Sequence, residues 1–294
     1  LLQQFEQLAG EDEIEVLVYG SERDVFLPAE AKHLRPLEFA ENLKPPLRNI
    51  LWHQASLPGL CRKRAYDVIF LTAANRRTSL SLPCPMVGTV HDFSSIHVTG
   101  KYDPARMFYI RQVLPFLIRR LDHVLTVSES SRRDIIDYAK VPAERVTVTP
   151  LAADHATYFP ADSEAARKTI RERYKVPGPY ILYTSRLEHP GKNHVTLIRA
   201  FTDLKKRTGL PHELICVGAD WNGAGHVHAA AARSEFGHAI RFAGFVDGAQ
   251  LPQFYRAAAA VAFPSLYEGF GLPIIEAMAS GAPVACANSS SLPE

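Results

Sequence analysis

The stretch YEGFGLPIIEAMASGAPV, residues 267–284, decides how this chain of 294 residues is read. Two glutamates, Glu268 and Glu276, stand on either side of a glycine-rich bend. Gly269 and Gly271 permit a tight turn, and Pro273 presets φ for a helix start. Ile274, Ile275, Ala277 and Met278 then supply an apolar helical face. Glu276 is expected in the first turn, where the helix dipole favours a carboxylate. Gly281 and Pro283 end the helix, and PVACA (283–287) reads as a short buried strand. Taken alone, this is a capped helix with two charges. It becomes an anion site only if cationic partners arrive from elsewhere in the chain.

Outward from that stretch, short apolar runs alternate with helical patterns. Strands are predicted at 14–19, 67–72, 85–90, 123–128, 145–149, 180–185, 213–218, 240–244, 260–264 and 283–287. Helices are predicted at 103–121, 129–139, 162–174, 193–208, 226–236 and 249–258, and the first residues, LLQQFEQLAG, read as the end of an amphipathic helix. Such alternation implies an α/β protein whose parallel sheets are covered on both faces. A loop-like run near 150–162 and a fresh strand after PGP divide the chain into two Rossmann-like domains facing across a cleft. These are residues 1–160, on the acceptor side and without a first strand, and 161–294, on the nucleotide side. Both ends read as cut, since an α/β domain rarely opens or stops so abruptly.

Composition narrows the classes. The chain is 47% hydrophobic with a formal net charge of +2, enough for a large core and too little charge for a nucleic-acid partner. It has no apolar run long enough to span a bilayer and no signal-peptide pattern, which predicts a cytoplasmic protein. Cys61, Cys84, Cys216 and Cys286 are scattered and read as reduced thiols, neither a disulfide frame nor a zinc site.

Ligands of open parallel sheets bind at strand carboxyl ends, so the residues there carry the argument. YILYTSRLEHPGKNH (180–194) places Arg186 and Lys192 just past a strand, with Asn193 as a cap for the next helix and Glu188 as a surface partner. A guanidinium and an ammonium near a helix start suit a diphosphate. The backbone N–H groups of Phe270, Gly271 and Leu272 form a second anion-binding candidate. Glu276, a turn into its helix, suits the ribose diol, leaving Glu268 to face the group carried by the β-phosphate. MVGTVHDFSS (86–95) sets His91 and Asp92 at another strand end, and Ser128 and Ser131 read as helix caps.

RLEHPGKN, TVSESSRRDI and the long run from Phe242 to Val284 together resemble the retaining glycosyltransferases of family four, which have the GT-B fold. The finer resemblance is to bacterial mannosyl- and rhamnosyltransferases of surface-polysaccharide assembly. That resemblance implies transfer of a sugar from a nucleotide-sugar donor to an acceptor hydroxyl with retention. The acceptor would be a glycan or a lipid-linked glycan. It further implies that Arg186 and Lys192 bind the diphosphate, Glu276 the ribose and Glu268 the donor sugar. Phe270–Leu272 would contact sugar or phosphate through the backbone, Val246 would meet the base, and His91 would contact the sugar near the reacting carbon. No cofactor is implied, and no metal, because no Asp-x-Asp stands at a strand end.

Rival readings remain at this point. Gly223-x-Gly225 with Asp247 downstream suggests a nicotinamide site, but His228 occupies the third glycine position and Trp221 crowds the loop. A sugar-nucleotide epimerase, a phosphorylase or a non-catalytic nucleotide-sugar-binding module would share the same plan. Finally, ARMFYIRQVLPFLIRRL (105–121) combines Arg106, Arg111, Arg119 and Arg120 with Phe108, Tyr109, Leu114 and Phe116. It is a candidate for peripheral contact with an anionic membrane, set against core packing of the aromatics.

Overall fold

A computed structural model describes residues 2–27, 30–74 and 78–294. Leu1, the first residue of the expected amino-terminal helix, lies outside them, and the helix runs Leu2–Leu8. The chain divides into two compact units, Leu1–Met86 and Val87–Glu294.

In the first unit, β1 (Ile14–Tyr19) pairs in parallel with β2 (Leu34–Phe39). The sequence reading missed β2, because LRPLEF carries a proline and charges. Pro36 sits opposite Val16 in a sheet of two strands among the described residues, where a residue without an N–H is tolerated at an edge. Helices Pro46–Ala55 and Leu57–Arg64 follow, then β3 (Ile69–Leu71). Burial, then the neighbouring Cys84 thiol far along the sequence, raises the Cys61 thiol to about 11.

The second unit opens with parallel strands β4 (Met86–Thr89), β5 (His123–Thr126) and β6 (Val146–Val148). The helix expected over 103–121 is three consecutive segments, Pro104–Phe108, a wide π-type stretch Tyr109–Val113, and Leu114–Ile118. Pro115 is the reason: it brings no N–H to the helical ladder, and the preceding turn widens around the missing bond. Leu114 is 6% exposed, so it is core and not part of an apolar surface, whereas Phe108 and Phe116 are exposed. Helix Glu129–Ala139 begins as expected, with Ser128 Oγ accepting from the Ser131 N–H at 3.1 Å.

The other sheet has five parallel strands in the order β11-β10-β7-β8-β9: β7 (Tyr180–Thr184), β8 (Glu213–Val217), β9 (Ile240–Gly244), β10 (Ala260–Phe263) and β11 (Val284–Cys286). Both faces are covered. One core joins Ile170 of helix Ser163–Tyr174 and Phe254 and Tyr255 of helix Leu251–Ala257 to Leu182 and Val261. The opposite core joins Ile198 and Phe201 of helix His194–Thr208 and Val227 of helix Ala224–Ala232 to Leu214 and Cys216. Each such side chain contributes about 1.5–3 kcal/mol on burial. Gly218 leaves β8 at φ +149°, and a Cβ there would stand 2.0 Å from the Ser185 carbonyl oxygen. Only glycine lets the segments leaving β7 and β8 pass this closely.

Candidate functional site

The strand order reverses between β7 and β10, and the segments that leave these two neighbours carry most of the predicted residues. They are stitched together by polar contacts. The Leu266 N–H donates to the Gly191 carbonyl at 3.0 Å, and Asn193 Nδ2 donates to the Pro264 carbonyl at 3.0 Å. Asn193 therefore does not cap its helix with its side chain; it stands at the N-cap with φ +58° and reaches across to the other loop instead. Beneath them the buried Tyr183 hydroxyl donates to the Lys192 carbonyl at 2.6 Å and lies 3.3 Å from Ser265 Oγ.

This frame brings Lys192 and Glu268 together. Lys192 Nζ donates to Glu268 Oε1 at 2.6 Å, and Ser265 Oγ donates to the same oxygen at 2.6 Å. The two side chains are 18% and 15% exposed, so this pair is largely sheltered from water. Arg186 is different: its side chain is 52% exposed, 3.4 Å from Glu188 Oε2, with the guanidinium 4.9 Å from the Trp221 ring centre. Glu188 is no surface partner. It is 2% exposed and also faces Lys101 Nζ at 3.2 Å, an ion pair without hydrogen-bond geometry at Oε1. Gly191 makes room for it, since a Cβ there would lie 2.8 Å from that oxygen. Beside Lys192, burial lowers the pKa of His194 to about 4, so its ring is neutral and adds no charge to the seam at neutral pH.

The glycine-rich bend opens a helix and leaves backbone donors unused. Gly271 is the N-cap of helix Leu272–Ala279 with φ +111°, a conformation that favours glycine. Among the described residues, the N–H groups of Phe270, Gly271 and Leu272 donate to no protein acceptor. Carbonyls of the same turn face Ser291, whose one hydroxyl proton lies between those of Glu268 and Phe270, 2.9 and 3.0 Å from Oγ. Glu276 is not in the first turn of its helix; it is the fifth residue, and no acidic side chain occupies the first turn. Burial raises its pKa above the ordinary carboxylate value, opposed by hydrogen bonds from Tyr255 and Tyr158. Tyr255 Oη stands 3.1 Å from Glu276 Oε2.

His91 follows β4 and is exposed. Its carbonyl accepts from Ser131 Oγ at 2.9 Å, and a Cβ on Gly269 would lie 2.5 Å from it, so the backbone of His91 abuts the turn beside Glu268. The side chain of Val246 is 8% exposed and belongs to the core, which leaves its backbone as the part able to meet a ligand. Sequence reasoning missed several polar groups. Tyr267 bonds Asp134, which also lies 2.8 Å from His97 Nε2, and Glu294 accepts from the N–H groups of Glu129 and Ser130 at 2.8 and 2.7 Å. These partners lie far apart in sequence, so no local pattern marks them. Among the described residues no group of three His, Cys, Asp or Glu side chains could hold a metal ion.

Comparison with known proteins identifies the family and the fold. The model described as "Glycosyltransferase Family 4" matches residues 3–157, and "Glycosyl transferases group 1" matches 166–294. The O-antigen chain mannosyltransferase B of Escherichia coli is 36% identical over 71% of this chain, which spans 54% of that protein. A D-inositol 3-phosphate glycosyltransferase of Salinispora arenicola is 31% identical over 69% of this chain and 48% of its own length. The chain thus spans about half the length of these two curated relatives. Anabaena Alr3699/HepE, solved in complex with UDP and glucose, superposes with a TM-score of 0.69 at 20% identity, covering 99% of this chain and 76% of that one. The fold is therefore that of the GT-B glycosyltransferases.

Two expectations follow from the site. Lys192→Ala leaves the sheltered Glu268 carboxylate without its cation and should cost about 2–3 kcal/mol, below the cost of breaking a fully buried pair. Arg186→Ala, at a half-exposed position, should leave the melting temperature nearly unchanged. Equal melting temperatures for the two variants would contradict the pairing. The second concerns Glu276, whose raised pKa means that the native state holds its proton to higher pH than the unfolded chain. Wild type therefore loses stability as pH rises from the ordinary carboxylate pKa through the raised one. Glu276→Gln should melt above wild type at neutral pH, with the gap closing below the ordinary carboxylate pKa. A variant less stable than wild type at neutral pH would contradict this.

Proposed function

We propose, from the premise that this chain belongs to glycosyltransferase family 4, that it transfers a sugar from a nucleotide-sugar donor to an acceptor hydroxyl with retention at the anomeric carbon. The observation that carries this reading is the set of three unused N–H groups at Phe270–Leu272, in the segment that also carries Glu268 and its partner Lys192. Residues 161–294 serve as the donor side and 1–160 as the acceptor side.

The diphosphate takes its charge from Arg186, Lys192 and the turn's N–H groups. Lys192 exchanges Glu268 for phosphate, and Glu268, once released, accepts from a hydroxyl of the donor sugar. Glu276 holds the ribose, the Val246 backbone meets the base, and His91 donates to a sugar hydroxyl. As the bond from the anomeric carbon to phosphate breaks, its electron pair goes to the phosphate oxygen. The acceptor oxygen attacks from the same face and its proton passes to the departing phosphate. Prearranged cations and N–H groups favour this transition state by matching the charge that develops on the leaving group. Two side-chain cations and a helix start supply that charge without a divalent ion.

The relatives' printed names support a donor hexose and a glycan acceptor of the surface-polysaccharide type. A lipid-linked acceptor would place the work at the cytoplasmic face of a membrane. No helix among the described residues is long and apolar enough to cross one. Peripheral contact is served by Arg106, Phe108, Arg111, Phe116, Arg119 and Arg120, all exposed along 104–120. The Arg120 guanidinium lies 4.9 Å from the Phe116 ring centre, which keeps charge and apolar surface side by side.

Incubating the full-length protein with a panel of sugar nucleotides should release nucleoside diphosphate in an acceptor-stimulated manner, undiminished by EDTA. Epimerised sugar nucleotide without transfer would refute the reading, and a loss of activity restored by magnesium would refute its metal-free form. Flotation should recover the protein with vesicles containing anionic lipid and not with neutral ones. Equal recovery would exclude the basic surface.

A further inference from the structure

Helix Leu251–Ala257 carries two adjacent side chains that converge on Glu276 by different routes. Tyr255 is fully buried, with its hydroxyl 2.9 Å from Thr184 Oγ1 and 3.1 Å from Glu276 Oε2. A phenol has one proton to give, and the carboxylate only accepts, so Tyr255 donates to Glu276 and accepts from Thr184. Thr184 is the last residue of β7. A directed chain of hydrogen bonds thus runs from the strand end, through Tyr255, to the carboxylate. Tyr158 brings a second phenol to this side of Glu276, with its ring centre 6.0 Å from that of Tyr255. Arg256 holds its segment: Nε donates to the Phe159 carbonyl at 2.9 Å and Nη2 to the Thr157 carbonyl at 3.1 Å, with the guanidinium 4.3 Å from the Phe159 ring centre. Burial, then the charge of Glu276, raises Tyr158 to about 12, and the same causes raise Tyr255, so both remain donors at neutral pH.

We propose that Tyr255 and Tyr158 are positioning residues that lock the Glu276 carboxylate in the orientation needed to accept from the ribose hydroxyls, and so set selectivity for ribonucleotides over 2′-deoxyribonucleotides. The proposal rests on the assignment of Glu276 to the ribose. A free glutamate loses rotamer entropy when it binds a diol, and a carboxylate held in place beforehand loses less. Phenols suit the task because they are neutral: a lysine or arginine would cancel the charge that strengthens the bonds to the diol.

The test is calorimetric titration of full-length wild type, Tyr158→Phe, Tyr255→Phe and Glu276→Ala with UDP, GDP and ADP and their 2′-deoxy forms. Wild type should prefer the ribonucleotide about tenfold or more, the scale of a hydrogen bond to a charged group. Each Tyr→Phe variant should lose several-fold in ribonucleotide affinity while 2′-deoxy affinity stays close to wild type, so that the preference shrinks. Tyr255→Phe also strips Thr184 of its acceptor; Tyr158, partly exposed, gives the variant that keeps the test readable should Tyr255→Phe fold poorly. An unchanged preference in Tyr158→Phe, with wild type and Glu276→Ala differing, overturns the lock and leaves the ribose assignment standing. A wild type that does not discriminate, or binds none of the three diphosphates, overturns the ribose assignment and the lock together.

Discussion

A parallel sheet built by right-handed crossovers can grow from its first strand in one direction only, until the chain crosses back to the other side. Here that return falls between β9 and β10, so β10 lies beside β7 while the helices after these strands pack on opposite faces. The segments leaving β7 and β10 must therefore diverge, and the seam between them is where backbone and side chains lack helical cover. The contacts around Gly191, Asn193, Pro264 and Leu266 hold this seam at a fixed width. Lys192 and Glu268, separated by 76 positions, meet because of it.

Placing charge in such a seam is costly, and the structure offsets the cost locally. Glu188 lies between Lys101 and Arg186, Glu268 between Lys192 and Ser265, and Glu276 under Tyr255. None of these carboxylates belongs to the apolar cores on the two sheet faces. Carboxylates outside the cores that are each supplied with donors or cations are what the proposed donor site requires. The unused N–H groups of Phe270–Leu272 complete the picture, because donors without acceptors favour an anion beside the same cations.

Local patterns made much of this legible in sequence. The alternation of apolar runs with helical periods located ten strands, and the bend around Gly271 identified a helix start with a conformation only glycine favours. Where the reading failed, longer-range geometry had overruled the local signal. LRPLEF lacks an apolar strand pattern, yet it pairs with β1 in a sheet of two strands among the described residues, where a missing donor is tolerated at an edge. Asn193 has the chemistry of a cap but is drawn across to Pro264. Glu188 looked like an exposed loop acid because its burial depends on Lys101, far earlier in the chain. Tyr255 gave no signal, since an aromatic on an apolar helix face is ordinarily core; its hydroxyl matters only because Thr184 and Glu276 flank it.

In the proposed reaction Lys192, now bonded to Glu268, exchanges that carboxylate for the donor diphosphate. A crystal structure of the full-length protein soaked with a nucleoside diphosphate tests this exchange. A phosphate oxygen is expected within hydrogen-bond distance of Lys192 Nζ and of the Phe270–Leu272 N–H groups, with the Glu268 carboxylate released from the lysine. A diphosphate bound elsewhere, with the Lys192–Glu268 contact still at its present 2.6 Å, would contradict it.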